Sequence, residues 1–206
     1  MKELVDAFEG LFAAASIEGG EVAEAAGFAL EKIDWNIQFS SMEPASHPIV
    51  DRQLEIACSN SGQYGSNSNI LAKALLSTHQ QLRWFSMYGD REDEPDFSIF
   101  LRNYTGSCVI GKDGIITCDE VAAGFTLQGR DIYYPPHAHQ AEESYWIIGG
   151  NGDWKVGAEP WFPVEAGNSV HHTSGVRHAM QTNAMPMLSI WLWTSHLDSE
   201  VAIVRG

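Results

Sequence analysis

The sequence is short of basic residues. It has 12 lysines and arginines against 27 aspartates and glutamates, which gives a formal net charge of −15 at pH 7. A chain this acidic is repelled by phosphate backbones and by anionic lipid head groups. We therefore expect neither nucleic acid nor a membrane surface to be its main partner. The same charge argues against a polyanionic substrate.

Cysteine and long apolar runs are also scarce. Cys58, Cys108 and Cys118 follow no metal-binding or redox spacing, so we predict buried thiols rather than a disulfide framework. The N-terminal segment is acidic and amphipathic, unlike a signal peptide, and no stretch approaches the ~18 apolar residues of a membrane span. These features predict a cytoplasmic protein.

The chain divides into a first half with helical periodicity and a second half with short apolar segments. Apolar residues at helical spacing predict helices over 2–16, 21–39 and 69–87, and Pro44 and Pro48 are expected to break the chain between them. The polar stretch 59–68 is typical of a loop. An acidic run over 90–96 separates the halves and is predicted to be a solvated linker.

After the acidic run, short apolar segments alternate with glycine, asparagine and proline, which is typical of an antiparallel sandwich or barrel. The predicted strands cover 97–104, 106–110, 115–118, 122–127, 154–156, 161–164, 169–172, 178–181 and 187–193. We therefore predict a mainly β protein with a helical N-terminal part. A helical region, 1–96, is expected to pack on a β-barrel domain, 97–206.

The segment YYPPHAHQAEESYWIIGG carries the densest set of metal-binding side chains. If one strand runs through it, His137, His139 and Glu143 point to one face. Tyr145 follows the same alternation, whereas Glu142 faces away. Imidazole and carboxylate at this density are the ligands of a first-row divalent metal.

Two spaced motifs in this region resemble those of the cupin superfamily. The stretch His137-x-His139-x3-Glu143-x6-Gly150 resembles the first motif of that superfamily. The stretch Gly167-x5-Thr173-x-Gly175-x2-His178-x4-Asn183 resembles the second motif, although Thr173 stands where cupins usually have proline. Together the motifs cover about 129–183, and their order and spacing make the resemblance specific.

The cupin resemblance implies a jelly-roll barrel with a metal ion in its mouth. The ion would be held by His137, His139, Glu143 and His178, a set that leaves open positions on a six-coordinate metal. One divalent transition metal ion is expected, and Zn, Fe, Mn, Ni and Co all suit these ligands. On the strand predicted over 169–172, only one of the pair at 171–172 can face the interior.

Tyr145 narrows the resemblance. The pattern His137-x-His139-x3-Glu143-x-Tyr145, the helical first half and the tyrosines just before the histidines are similar to the cupin-type dimethylsulfoniopropionate (DMSP) lyases. The resemblance implies β-elimination of DMSP, a small zwitterion, to dimethyl sulfide and acrylate. The metal would bind the substrate carboxylate, and a tyrosine would be the general base.

The chemistry of this elimination suggests roles for the aromatic residues. A tyrosine base must have its pKa lowered from about 10 by ~2–3 units to work near pH 7–8. Tyr145 is the first candidate, with Tyr134 and Tyr133 as second choices that could orient the carboxylate. A sulfonium cation suits an aromatic enclosure, and Trp191 and Trp193 share a face that could line the substrate pocket.

Two other functions stay open. Three histidines and a glutamate also suit an iron-dependent cupin oxygenase. The same barrel also suits a non-catalytic cupin, which would bind a small carboxylate without converting it. A homodimer is open as well, since cupins often form dimers and the N-terminal helices could contribute.

Overall fold

The computed structural model describes residues 1–36, 38–61, 66–88 and 95–204. The α-helices of this part of the chain are α1 (Lys2–Ala15), α2 (Gly20–Lys32), α3 (Pro48–Cys58), α4 (Ser66–Thr78) and α5 (Pro95–Arg102). The strands are β1 (Trp84–Phe85), β2 (Tyr104–Ile110), β3 (Ala122–Gln128), β4 (Tyr133–Ala138), β5 (Glu143–Gly149), β6 (Asn151–Val156), β7 (Phe162–Glu165), β8 (Ser169–His172), β9 (His178–Thr182), β10 (Met187–Trp193) and β11 (Ala202–Ile203). None of these helices combines the length and the apolar character needed to cross a membrane.

The helices of the first half differ from their predicted bounds. The helix expected over 21–39 ends at Lys32, and the one expected over 69–87 begins at Ser66 and ends at Thr78. Helix α3 was not predicted, and Pro48, expected to break the chain, occupies its first turn, where a proline costs no hydrogen bond. His47 caps this helix by accepting a hydrogen bond from the backbone N–H of Ile49. Most of the predicted acidic linker, residues 90–94, lies outside the described residues.

The strands form two antiparallel sheets that face each other. One sheet has six strands in the order β1-β2-β3-β10-β5-β8, and the other has five in the order β11-β4-β9-β6-β7. The predicted mainly β architecture with a helical N-terminal part is therefore confirmed. Strand β1 lies before residue 96 and pairs with β2. The predicted division into 1–96 and 97–206 stays a prediction.

Two predicted strands are not strands. Residues 97–104 are mostly helix α5, because Phe97, Phe100 and Leu101 bury one helical face. A short apolar run of this kind does not distinguish helix from strand by itself. Residues 115–118 form only an isolated bridge, between Ile110 and Ile116.

The segment predicted to be one continuous strand is two strands that belong to different sheets. Strand β4 ends at Ala138, and β5 begins at Glu143 after a turn. The prediction that His137 and Glu143 share one face of a single strand is therefore wrong, because they lie on different strands. Their side chains approach each other because the two sheets face each other across the barrel interior.

The two faces of the six-stranded sheet have different roles. Its outer face packs against the helices, with the ring of Phe8 5.1 Å from Phe125 and that of Phe12 5.5 Å from Trp146. Its inner face, together with the five-stranded sheet, encloses a second core that is rich in tyrosine and tryptophan. The alternation along β5 accordingly places Trp146 outward and Tyr145 inward, as predicted within that strand.

Candidate metal centre and active site

Three buried side chains converge between the sheets. His139 directly follows β4, Glu143 is the first residue of β5, and His178 is the first residue of β9. Each offers a ligand atom, and these atoms all lie within 4.8 Å of one another. Oε2 of Glu143 lies 2.9 Å from Nε2 of His139 and 3.6 Å from Nε2 of His178.

The backbone fixes the tautomer of the histidines. Nδ1 of His137, His139 and His178 lies 2.9, 2.9 and 3.0 Å from the carbonyl oxygens of Pro135, Ala141 and Val176, respectively. A carbonyl can only accept, so each Nδ1 carries a proton, and Nε2 is the atom of each ring that can bind a ligand. Nε2 of His178 is buried and has no hydrogen-bond partner among the described residues. A buried lone pair beside a carboxylate and a second imidazole fits a divalent metal ion.

His137 lies beside this group without belonging to it by distance. Its ring is 4.0 Å from the ring of His178 and stacks on Tyr134 at 3.8 Å. The structure therefore brings His137 to the centre, and its role as a fourth ligand stays a prediction.

Burial and mutual attraction set the charges of the centre. Burial opposes ionisation of Glu143, but hydrogen bonds from His139 and His172 hold its pKa well below the ordinary value. Burial likewise opposes protonation of His139, yet its hydrogen bond to Glu143 raises its pKa. Burial lowers the pKa of His137 to about 3, and burial together with the nearby histidines lowers that of His178. The centre thus offers a carboxylate and two neutral imidazoles, His137 and His178, whereas a proton held between His139 and Glu143 must leave when a metal binds.

A cavity of about 760 Å³ gives access to the centre. Among its lining residues are Glu143 and Tyr145 from β5 and Trp191 and Trp193 from β10. The two indole rings meet edge to face at 5.8 Å, and Nε1 of Trp193 donates a 2.8 Å hydrogen bond to Oε1 of Glu143. The predicted base and the predicted aromatic wall therefore lie in one cavity with the carboxylate.

The three candidate tyrosines lie in different environments. Tyr145 lines the cavity, and burial followed by the Glu143 carboxylate raises its pKa well above the ordinary value. Tyr134 is buried behind His137, and its hydroxyl lies 2.8 Å from that of Tyr88. Tyr133 is 48% exposed, lies beside the ring of Trp161 and is not one of the residues that line the cavity in the described chain.

Sequence reasoning left the pair His171 and His172 undecided. The alternation along β8 turns His172 inward, where it is fully buried and pairs in register with Glu143. His171 points to the other face and contacts the hydroxyl of Ser144 at 3.0 Å. The contact of His172 with Glu143 was missed, because only the sheet register brings these two residues together.

Two facing antiparallel sheets around a buried histidine and glutamate group form a cupin-type β-barrel fold, which confirms the predicted fold class. A sequence model of the dimethylsulfoniopropionate lyase family matches residues 30–189. The chain therefore belongs to the dimethylsulfoniopropionate lyase family, a family of carbon–sulfur lyases. The resemblance to this family is confirmed.

Individual relatives agree with this assignment. The dimethylsulfoniopropionate lyase DddQ of Ruegeria pomeroyi is 32% identical over 100 residues, which are 48% of this chain and 50% of that protein. The match thus spans about half the length of this curated relative. The crystal structure of DMSP lyase DddQ from the same organism superposes with a TM-score of 0.74 at 21% identity, covering 98% of this chain and 96% of that chain. A chain from the crystal structures of the DMSP lyases RdDddP and RnDddQII has a TM-score of 0.70 at 20% identity, with coverages of 94% and 100%. Both superpositions show the shared fold.

Proposed function

We propose that this protein cleaves DMSP to dimethyl sulfide and acrylate by metal-dependent β-elimination. The observation that carries the proposal is that Tyr145 and the Glu143 carboxylate line one cavity in a member of this family. The cavity has ample room for a small zwitterion, since pockets of 300–1,000 Å³ accommodate much larger ligands.

His139, Glu143 and His178 would hold the divalent ion, with His137 beside them as the fourth ligand. When bound, such an ion acts as a Lewis acid that neutralises the substrate carboxylate and favours loss of the adjacent proton. The donor set of imidazole and carboxylate suits Zn, Fe, Mn, Ni and Co alike. The backbone carbonyls that accept hydrogen bonds from each Nδ1 would keep the three rings in a fixed orientation toward the ion.

Tyr145 is the proposed base. Its phenolate would take a proton from the carbon next to the carboxylate, and the electron pair of that C–H bond would form the new double bond. The C–S bond then breaks, and its pair of electrons leaves with neutral dimethyl sulfide. Because burial and Glu143 raise the pKa of Tyr145, the phenolate depends on positive charge held at the centre.

The aromatic residues would bind the cationic end of the substrate. Trp191 and Trp193 line the cavity, and indole faces attract a sulfonium group. Tyr134 would act through His137, on which it stacks, rather than by touching the substrate. Tyr133 has no comparable position, since its ring lies with Trp161 at the surface.

Headspace detection of dimethyl sulfide over purified protein and DMSP tests this function. We expect metal-replete protein to release dimethyl sulfide and acrylate in equal amounts, also without oxygen. A chelator should stop the release, and added divalent metal should restore it. Absence of dimethyl sulfide from metal-replete protein across pH 6–9 would refute the lyase. Oxygen uptake that depends on substrate would favour the iron-dependent oxygenase instead.

The assembly and the location of the enzyme are part of the same proposal. We propose a cytoplasmic enzyme, and light scattering of the purified protein would decide between a monomer and a homodimer.

A further inference from the structure

His172 lies behind Glu143, and both of its ring nitrogens have hydrogen-bond partners. Its Nε2 is 2.9 Å from Nε1 of Trp154, and its Nδ1 is 3.4 Å from Oε2 of Glu143. His172 and Trp154 are both fully buried. An indole N–H can only donate, so Nε2 of His172 accepts this bond. The proton of the neutral imidazole therefore lies on Nδ1 and is directed at Glu143.

We propose that Trp154 and His172 are a pair of positioning residues that orient the Glu143 carboxylate for metal binding. This inference rests on the metal centre of the proposed function. With Trp193 donating to Oε1 and His172 donating to Oε2, both carboxylate oxygens have a side-chain donor that is not a proposed ligand. The carboxylate is thus held in place before a metal arrives, which is the usual task of a group that contacts a metal ligand.

The geometry excludes His172 as a further metal ligand. Its Nε2 lone pair already accepts the bond from Trp154, and its Nδ1 carries the proton. The ring of His172 instead stacks on that of His178 at 3.8 Å, behind the centre.

The pair also connects the two sheets. Trp154 lies on β6 of the five-stranded sheet, whereas His172 lies on β8 of the six-stranded sheet. A fully buried imidazole is unfavourable unless its polar atoms find partners. An aliphatic residue would fill this inward position on β8 without that cost. The presence of a histidine is therefore explained by the carboxylate that it contacts.

Metal affinity separates this role from a purely structural one. The variants are H172F, which removes both polar atoms, and H172N, whose amide N–H can occupy the position of Nδ1. The control is H171F, the same change on the opposite face of β8, where the neighbour is Ser144. Each protein would be titrated with Co²⁺ in competition with a chromophoric chelator, and its Co²⁺ absorption spectrum and circular dichroism recorded.

We expect H172F to bind Co²⁺ about 10- to 100-fold more weakly than wild type, the usual loss for a removed partner of a metal ligand. H172N should bind at least ~5-fold more tightly than H172F, and H171F should match wild type. W154F, which leaves Nε2 of His172 without its donor, should weaken binding by a smaller factor. If H172F does not fold, the comparison of W154F with wild type is the test.

Wild-type Co²⁺ affinity in H172F, or in W154F if H172F is unfolded, would overturn the inference and leave the proposed lyase intact. A wild-type protein that bound no divalent ion would instead refute the metal centre, and this inference with it. A structural role alone predicts that H172F lowers the melting temperature of the metal-free protein while its Co²⁺ affinity and spectrum stay as in wild type.

Discussion

The indole nitrogen of Trp193 donates a 2.8 Å hydrogen bond to Oε1 of Glu143, while Nε2 of His139 lies 2.9 Å from the other oxygen, Oε2. Trp193 and Glu143 are register partners on the adjacent strands β10 and β5. The tryptophan predicted from the sequence to contact substrate therefore also restrains the carboxylate that we propose as a metal ligand. We therefore propose separate tasks for its ring and its N–H.

Replacing Trp193 with phenylalanine separates these tasks, since W193F keeps an aromatic face and loses the N–H. We expect the affinity for a divalent metal to fall about tenfold, because the removed donor contacts a proposed metal ligand. Competition with a chelator would measure the loss. W161F is the matched control, since Trp161 is half-exposed and lies beside Tyr133. Equal affinities in W193F and wild type would show that this hydrogen bond does not support the centre.

Replacing Tyr145 with phenylalanine tests the base. Y145F keeps the ring that packs against Trp154 at 5.0 Å and removes only the hydroxyl. We expect the release of dimethyl sulfide to fall at least ~100-fold, the scale of a lost general base, while bound metal stays at the wild-type level. Gas chromatography and metal analysis of the same sample would measure both quantities.

The other two tyrosines supply the comparison for Y145F. Y134F should lose less activity, because Tyr134 lies behind His137 and not at the cavity. Y133F should behave like wild type, since the ring of Tyr133 lies at the surface. Full activity in Y145F together with a large loss in Y134F would show that Tyr134, and not Tyr145, is the general base.

The stability of the metal-free protein should fall on the acid side because of His137. Burial lowers its folded pKa to about 3 from an ordinary value of 6.5. Between these values the unfolded chain binds a proton that the folded chain does not. The free energy of unfolding therefore decreases as pH falls, by up to about 1.4 kcal/mol per pH unit from this residue. His178, whose pKa is also lowered by burial, acts in the same direction, and His139, whose pKa is raised, opposes it.

Urea unfolding of metal-free protein at pH 7.5, 6.5 and 5.5 would measure this dependence. H137N is the matched variant, since its amide can keep the hydrogen bond to the Pro135 carbonyl without titrating in this range. We expect a smaller change of unfolding free energy with pH in H137N than in wild type. Identical pH profiles would show that His137 titrates in the folded state much as it does in the unfolded one.

The sequence was sufficient for the parts of the centre that depend on local spacing. Alternation along β5 correctly separated Tyr145 from Trp146, and the two cupin motifs predicted that His139, Glu143 and His178 would lie together. It could not show that the chain changes sheet between Ala138 and Glu143, because residues 139–142 contain neither glycine nor proline.

Contacts between segments that are distant in the sequence could not be predicted for a similar reason. Trp154 and His172 are 18 residues apart and lie on different sheets, so no spacing rule relates them. Helix α5 was missed because a run of eight residues with apolar positions fits either periodicity. In each case the pairing of distant segments decides the outcome, and local sequence carries little information on that pairing.

The sequence predicted that the helices pack on the barrel but not where they touch it, and one point of contact is testable at Gly149. A Cβ at Gly149 would lie 2.0 Å from the carbonyl oxygen of Ala57 at the end of α3, so the helix must move if any side chain is added. The neighbouring N–H of Gly150 donates a 2.8 Å hydrogen bond to Asn60, which fixes the same contact.

We expect G149A to lower the free energy of unfolding by about 1–3 kcal/mol through overpacking. In G10A, where nothing lies within 4 Å of an added Cβ, the change should instead stabilise α1 by roughly 0.5–1 kcal/mol. Urea unfolding of both variants measures these opposite signs, and a G149A protein as stable as G10A would mean that α3 is not tightly seated on β5.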